Sequence, residues 1–445
     1  MTLDEPGGLV AVELTRWKSF ERATLPLARL TLLVGANGSG KSNVIEALKL
    51  LRWVASGARL SGYGQARREG VVGLRGTVGD LVMWGEREQT MGFGVELEGA
   101  GTGTRRLRLE LVLGVVGGEL RVERETLHGD GDLELYRAER EVGAGAHSLE
   151  VRYAAFGEPG LAKLSGIDQQ AVFAQVTSPA RFAREHEVAQ EVVPRAAAAV
   201  ATALSGVVVI EPNPSEMRGY WHESDHGLQV DGANLSATLF ELCREERMRE
   251  RVLGFVGELP ERPVGRIEFI RSGRGDVMVQ LQESFGGVER LVDAPLLSDG
   301  TLRVLAIAGA LLSVPRGTLL VIEEFDNGIH PSQAGRLVRR VEETARERGL
   351  RVLLTTHNPA MLDALPPSTL ADVVACHRDP ERGDSRLTRL SDLDAYPVIL
   401  AQGPLGQGMS QGVVDRFLKV RETADERAAK GLAWLDALRA SEDGE

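Results

Sequence analysis

Apolar positions change their period along this chain, and the changes divide it. Leu9–Thr15 and Leu30–Val34 are short runs dense in Leu and Val and read as strands. Past Gly35–Ser42, apolar residues fall at Val44, Ile45, Leu48, Leu50 and Leu51, so Asn43–Val54 is expected to be a helix. Ala58–Gly79, rich in Gly and Arg, reads as a long surface loop. Gly92–Glu98, Arg105–Val115, Glu119–Thr126, Leu133–Arg140 and Ser148–Ala154 alternate apolar and polar positions between Gly, Asp and Glu turns, and predict an antiparallel meander. From about Ile167 to Leu204 the chain is Ala-rich and reads as helical. Val207–Ile210 follows as a strand ending at Glu211-Pro212-Asn213-Pro214, then a helix over Ser236–Leu259 and strands over Gly265–Ile270 and Asp276–Glu283. From Ser298 the pattern is helix (Thr301–Leu312), buried strand (Thr318–Ile322), helix (Pro331–Arg348) and strand (Leu350–Thr355), which implies a parallel sheet covered by helices. Arg416–Ala440 is charged and reads as helical.

Composition narrows the class. With 445 residues, 43% hydrophobic and 26% charged, the chain is globular and long enough to bury a core without staples. It carries 52 basic and 64 acidic residues, a formal net charge of −12, which excludes a basic coat protein but not a local basic stripe. Only six basic residues are lysines (Lys18, Lys41, Lys49, Lys163, Lys419 and Lys430), so a lone Lys inside a Gly-rich loop stands out. Cys243 and Cys376 lack ligand-like spacing, which argues against a disulfide framework or a zinc site. No signal-like N-terminal run or 18-residue apolar stretch is present, so a cytoplasmic protein with no membrane partner is expected.

Four motifs carry chemistry. Gly35-Ala36-Asn37-Gly38-Ser39-Gly40-Lys41-Ser42 fits G-x-x-x-x-G-K-[ST] between a strand and a helix. Its glycines let backbone N–H groups converge on phosphate oxygens, Lys41 would reach the β- and γ-phosphates of ATP, and the Ser42 hydroxyl would bind Mg²⁺. In Thr318-Leu319-Leu320-Val321-Ile322-Glu323-Glu324-Phe325-Asp326 two carboxylates follow a buried strand: Glu323 for the Mg²⁺ shell, Glu324 to polarise the attacking water. In Val352-Leu353-Leu354-Thr355-Thr356-His357-Asn358-Pro359, His357 ends a strand where it could sit beside the γ-phosphate. Leu297-Ser298-Asp299-Gly300-Thr301-Leu302-Arg303 opens a helix; Ser298, Asp299 and Gly300 would make a second anion cradle, useful if it closes on the ATP of another subunit, although an ordinary Ser cap serves the local sequence equally well.

The order phosphate loop, long insertion, LSDGTLR, IEEFD, TTHNP resembles the ATP-binding-cassette (ABC) ATPase head, in the branch that includes RecF, RecN, structural-maintenance-of-chromosomes (SMC) proteins and the overcoming-lysogenisation-defect (OLD) nucleases. Within it the chain is similar to compact bacterial ATPases of repair and phage-defence settings. Leu228-Gln229-Val230-Asp231-Gly232-Ala233-Asn234-Leu235 and Glu324-Phe325-Asp326-Asn327-Gly328-Ile329-His330-Pro331 also carry that resemblance. It implies an α/β P-loop NTPase fold, an ABC-ATPase head with a mixed sheet, helices on both faces, an antiparallel β meander and an inserted α/β lobe. The expected divisions are 1–160 and 291–405 for the two halves of the head, 161–290 for a mainly helical inserted lobe, and 406–445 for a helical tail.

The same resemblance implies that Ser298, Asp299 and Gly300 contact ATP in trans, that Asp326 lies in a loop facing the partner subunit, and that His357 is the switch histidine. LSDGT stands where LSGGQ is usual, and Glu323 where Asp is more frequent. Gln170 and Gln175 are candidates for the family's glutamine loop, neither in a decisive context. The absence of sustained heptads argues against a long coiled-coil arm, and the stretch after His357 is too short for the nuclease domain of many OLD relatives. The implied activity is ATP hydrolysis with Mg²⁺ in a homodimer closed around ATP, serving DNA repair or anti-phage defence. The alternative is a nucleotide-gated scaffold holding a separate effector nuclease or toxin; whether DNA is bound stays open.

Overall fold

The computed structural model describes residues 8–85, 88–99, 105–140, 147–156, 161–257, 264–285 and 287–419. Three strands open the chain: β1 (Gly8–Trp17), β2 (Phe20–Pro26) and β3 (Leu30–Val34). The first two join β4 (Thr90–Glu98), β5 (Arg106–Val116), β6 (Glu119–His128), β7 (Glu134–Arg140), β8 (Ser148–Ala154) and β9 (Leu161–Ile167). Together they form one antiparallel sheet in the order β2-β1-β4-β5-β6-β7-β8-β9. The helix Glu187–Ser205 leads to β10 (Val208–Ile210). A smaller antiparallel sheet follows, made of β11 (Trp221–His222), β12 (Val264–Arg271), β13 (Asp276–Phe285) and β14 (Val288–Asp293). Last come β15 (Leu319–Ile322), β16 (Arg351–Thr356), β17 (Val373–Arg378) and β18 (Ser385–Arg389), which with β3 and β10 build a six-stranded sheet in the order β10-β15-β16-β3-β17-β18. It is parallel except for its edge pair β17–β18.

Both faces of the parallel sheet are covered, which is why its central strands read as largely apolar runs. Leu33, Leu319, Val321 and Leu353 point into a core shared with the large antiparallel sheet and the helices Lys41–Ala55 and Glu187–Ser205. Leu32, Val34, Leu320, Ile322 and Leu354 point the other way, onto the helices Asp299–Ser313 and Pro331–Arg348. The second of these starts with Pro331 after the cap residue His330 and stops at left-handed Gly349, the usual asymmetry of helix ends. A third core lies under β12–β14 and takes the opposite face of Asp299–Ser313.

The expected α/β head, its meander and its covered parallel sheet are all present. The divisions differ from those expected. The boundary at 160/161 falls just before β9, which is the edge strand of the large sheet, and β10 belongs to the parallel sheet, so residues 161–210 are part of the head. What stands apart is 221–293, whose four strands make it a mixed lobe rather than a mainly helical one. Ala58–Gly79 is not a plain surface loop either: Leu60, Tyr63 and Leu74 are buried, with Tyr63 edge-on to Trp53. The region expected as helix over Ser236–Leu259 is two helices, Leu235–Leu242 and Glu246–Val256. Among the described residues the tail from 406 holds the helices Leu405–Ser410 and Val413–Lys419; the charged stretch expected as helix beyond 419 lies outside them. No helix of the described residues is long and apolar enough to cross a membrane.

Inside the large sheet, fully buried Glu125 on β6 accepts hydrogen bonds from the Tyr136 hydroxyl (2.6 Å) and from the amides of Val172 and Phe173 (both 2.7 Å). It thereby ties the chain after β9 to the sheet. Burial outweighs these donors and raises its pKa to about 7. The folded protein then holds this proton at pH values where the unfolded chain has released it. Stability from this group is fully present below the ordinary value of 4.5 and is lost as pH rises through about 7, on the order of 3 kcal/mol over that window. Glu125→Gln is expected to flatten the fall of melting temperature across it, measured by circular dichroism; an unchanged slope would assign the fall to other groups.

Candidate nucleotide-binding site

Every residue of β3 is buried, and the strand lies between β16 and β17, so the loop after it emerges at the middle of the parallel sheet's edge. The loop is seated by its glycines. A Cβ on Gly35 would lie 2.2 Å from the Cys376 carbonyl oxygen of β17. Gly40 has φ +123°, and a Cβ there would meet Ser385 Oγ at 2.6 Å. The loop's carbonyls are held from outside: Arg378 Nε donates to Gly38 O (3.1 Å) and Ser385 Oγ to Ser39 O (2.5 Å). Lys41 folds back over the loop, its Nζ 2.5 Å from Gly35 O and 3.1 Å from Ala36 O. The amides of Lys41 and Ser42, in the first helical turn, have no acceptor within the helix, an arrangement that suits an anion. Burial lowers the Lys41 pKa, while Cys376, Glu324 and Asp326 pull it back up, which puts those acids in the ammonium's field.

The acidic strand reaches the same edge. β15 lies between β10 and β16, and the backbone past its end is gripped from both sides. Glu323 N donates to Ile210 O (2.8 Å), Glu324 N to Thr355 Oγ1 (3.0 Å) and Phe325 N to Thr355 O (3.2 Å). Glu324 itself has φ +49°, a left-handed backbone that costs a non-glycine residue about 1–3 kcal/mol. Its carboxylate accepts a hydrogen bond from Asn327 Nδ2. Glu323 pairs with Lys49 Nζ at 3.0 Å, two turns along the helix from Lys41. Burial raises the Glu323 pKa; Lys49 opposes this, and Glu211 and Glu324 add to it. Asp326 is buried, bonded to the Thr356 side chain and within the field of His357; burial raises its pKa, and its Oδ1 has no partner among the described residues. His357 is exposed just past β16, where Asn358 N closes a turn on Thr356 Oγ1 (2.9 Å).

Ser298 caps the helix Asp299–Ser313, its Oγ accepting from Thr301 N at 3.1 Å. Ser298 and Asp299 are exposed. Gly300 abuts the loop after the acidic strand: a Cβ there would lie 2.7 Å from Gly328 O. Lys41, Glu323, Glu324, Asp326 and His357 thus gather at one sheet edge, whereas Ser298, Asp299 and Gly300 lie beyond the Asp326–Gly328 loop and open outward. Neither candidate glutamine is close. Gln170 Nε2 donates to Gly57 O (2.7 Å), past the far end of the helix Lys41–Ala55, which at 15 residues is about 22 Å long. Gln175 is bonded to Ile167 and Gln170. The residue at the end of the strand flanking the acidic strand is Glu211.

Sequence reasoning did not single out Lys49, Thr355, Asn327, Glu211, Arg378 or Ser385. Only Lys49 carried a signal: it is one of two lysines within nine residues of a lysine-poor chain.

A family model described as "AAA domain, putative AbiEii toxin, Type IV TA system" matches residues 30–114 and 231–363, which contain the phosphate loop, the LSDGT segment, the acidic strand and His357. The DNA replication and repair protein RecF of Caulobacter sp. (strain K31) is 37% identical over 103 residues, 21% of this chain; the match spans 26% of that protein's length. A crystal structure of an SMC head, bound to the C-winged helix domain of ScpA, is 12% identical, covers 88% of this chain and 99% of its own, and superimposes with a TM-score of 0.51, which shows a shared fold. Four ordered motifs, the sheet that carries them and these matches support an ABC-type ATPase of the RecF/SMC branch.

Proposed function

We propose that the chain binds ATP with Mg²⁺ and hydrolyses it, and that two copies close around the nucleotide so that the Ser298–Gly300 loop of each meets the phosphates held by the other. One observation carries this reading: the strand order β15-β16-β3 brings Lys41, Glu323 and Glu324 to one edge, while Ser298 and Asp299 stay exposed. Lys41 and the amides at the helix start hold the β- and γ-phosphates. Ser42 and Glu323 fit Mg²⁺, since a hydroxyl and a half-buried carboxylate are oxygen donors suited to a hard cation. Bound there, the ion neutralises charge on the phosphates. Glu324 orients and polarises the attacking water, its carboxylate steadied by Asn327. His357, exposed beside Asp326, senses the γ-phosphate.

The cellular setting is repair or defence, on the strength of the RecF match and the family description. The net charge of −12 favours a second reading in which the ATP-bound pair holds a separate effector protein and turns over slowly. Effector capture from the native operon, against DNA-stimulated hydrolysis by the isolated chain, separates the two.

Lys41→Ala is expected to abolish ATP binding, measured by titration calorimetry. Glu324→Gln should bind ATP with unchanged affinity, turn over roughly 10²-fold more slowly or worse, and accumulate a dimer on gel filtration. Hydrolysis at the parental rate would remove Glu324 from its role. In the loop, Gly35→Ala must push on a strand carbonyl and should cost about 3 kcal/mol or more, at the top of the overpacking range, along with nucleotide binding. Gly38→Ala, with φ +78° and open space around it, should cost only about 1–2 kcal/mol in urea unfolding.

A further inference from the structure

Arg218 has no place in the motifs, yet it makes four polar contacts to the chain entering the LSDGT segment. Its Nη1 lies 2.8 Å from Pro295 O, 2.9 Å from Leu297 O and 3.2 Å from Ala294 O, and its Nη2 lies 2.6 Å from Asp299 Oδ1. The base from which it reaches is firm. The segment leaving β10 is pinned by Glu211 N to Val230 O (2.7 Å) and Asn213 N to Asp231 O (2.8 Å), and the neighbouring Met217 is fully buried in the lobe's core.

Two consequences follow for the loop. In a planar trans peptide the N–H points opposite to the C=O, so turning the Leu297 carbonyl in toward Arg218 turns the Ser298 amide away from it. Ser298 is exposed, and its hydroxyl caps the helix start through Thr301 N (3.1 Å) and Thr301 Oγ1 (2.8 Å), so the amide turned away from Arg218 lies at an exposed helix N-terminus. Asp299 is the second consequence. A carboxylate at an anion cradle repels phosphate, and Arg218 is the cation that offsets it. On the other flank the Gly300–Gly328 contact limits the loop, so it is clamped from two sides.

We propose that Arg218 is the positioning residue of the LSDGT loop: it aims the Ser298 amide at the nucleotide held by a second copy of the chain and neutralises Asp299 there. This rests on the dimer reading above. Arg218 therefore serves the partner's site and not its own.

Mixed-subunit kinetics test it. Arg218→Ala should bind ATP with parental affinity but hydrolyse it roughly 10²-fold more slowly, the loss expected from a misplaced contact. Arg218→Lys should be nearly as slow, because one ammonium cannot span three carbonyls and a carboxylate, while its melting temperature shows that the fold is kept. Mixing Arg218→Ala with Glu324→Gln, each slow alone, should restore a rate well above the sum of the two, since one composite site then pairs an intact Glu324 with an intact loop. Parental turnover by Arg218→Ala, loss of its own ATP affinity, or no recovery on mixing each overturns the proposal. If Glu324→Gln forms no ATP-dependent dimer, the dimer reading fails and this inference with it; if it dimerises and mixing restores nothing, only the role of Arg218 falls.

Discussion

Everything at the site depends on how strand β3 is placed. It runs parallel between β16 and β17, and each neighbour delivers one half of what the phosphate loop needs. From β17 comes the Cys376 carbonyl against which Gly35 rests; from β16 come Thr355 and Thr356, which hold the acidic strand's exit and Asp326. The Gly35 contact leaves no room for a Cβ, so the loop and the acids keep a fixed relation to one another. Burial on both faces makes that relation rigid, because a shift of any strand would disturb two cores.

The rigidity is matched by local strain at the candidate site. Glu324 sits in a backbone conformation unusual for its type, yet hydrogen bonds on either side hold it there: its own amide to Thr355, and its carboxylate from Asn327. Strained residues persist where the surroundings over-determine them. Glu323, one residue earlier, is paired with Lys49. Two adjacent carboxylates thus receive different environments from one change of backbone direction.

Much of this was legible in the residues, and the reasons differ by element. β3 and β15 could be read because strands buried on both faces are apolar at nearly every position, Thr31 being the one exception. The meander could be read because one-sided burial leaves strict alternation. β9 was missed because its exposed positions carry Leu161 and Ile167, so alternation no longer marks its faces. The break between Leu235–Leu242 and Glu246–Val256 is made by a short polar turn without Gly or Pro, which leaves no punctuation to read. Lys41, Glu323, Glu324 and His357 were visible as motifs since each is tied to a strand end. Glu211 and Arg218 were not, because their place near the site depends on which strand pairs beside β15, and strand order is a property of the fold rather than of any segment.

The helix Asp299–Ser313 has one more consequence. Val304, Ile307, Ala308 and Leu311 belong to the core of the parallel sheet, while Leu302, Leu305, Ala306 and Leu312 belong to the core of the lobe. A shared wall of this kind leaves neither side a complete interior of its own. The lobe cannot melt first and leave an intact head, since its loss would expose half of a helix that the head also requires. Heat or denaturant should meet a single cooperative unit in these two parts of the chain, despite three separate sheets.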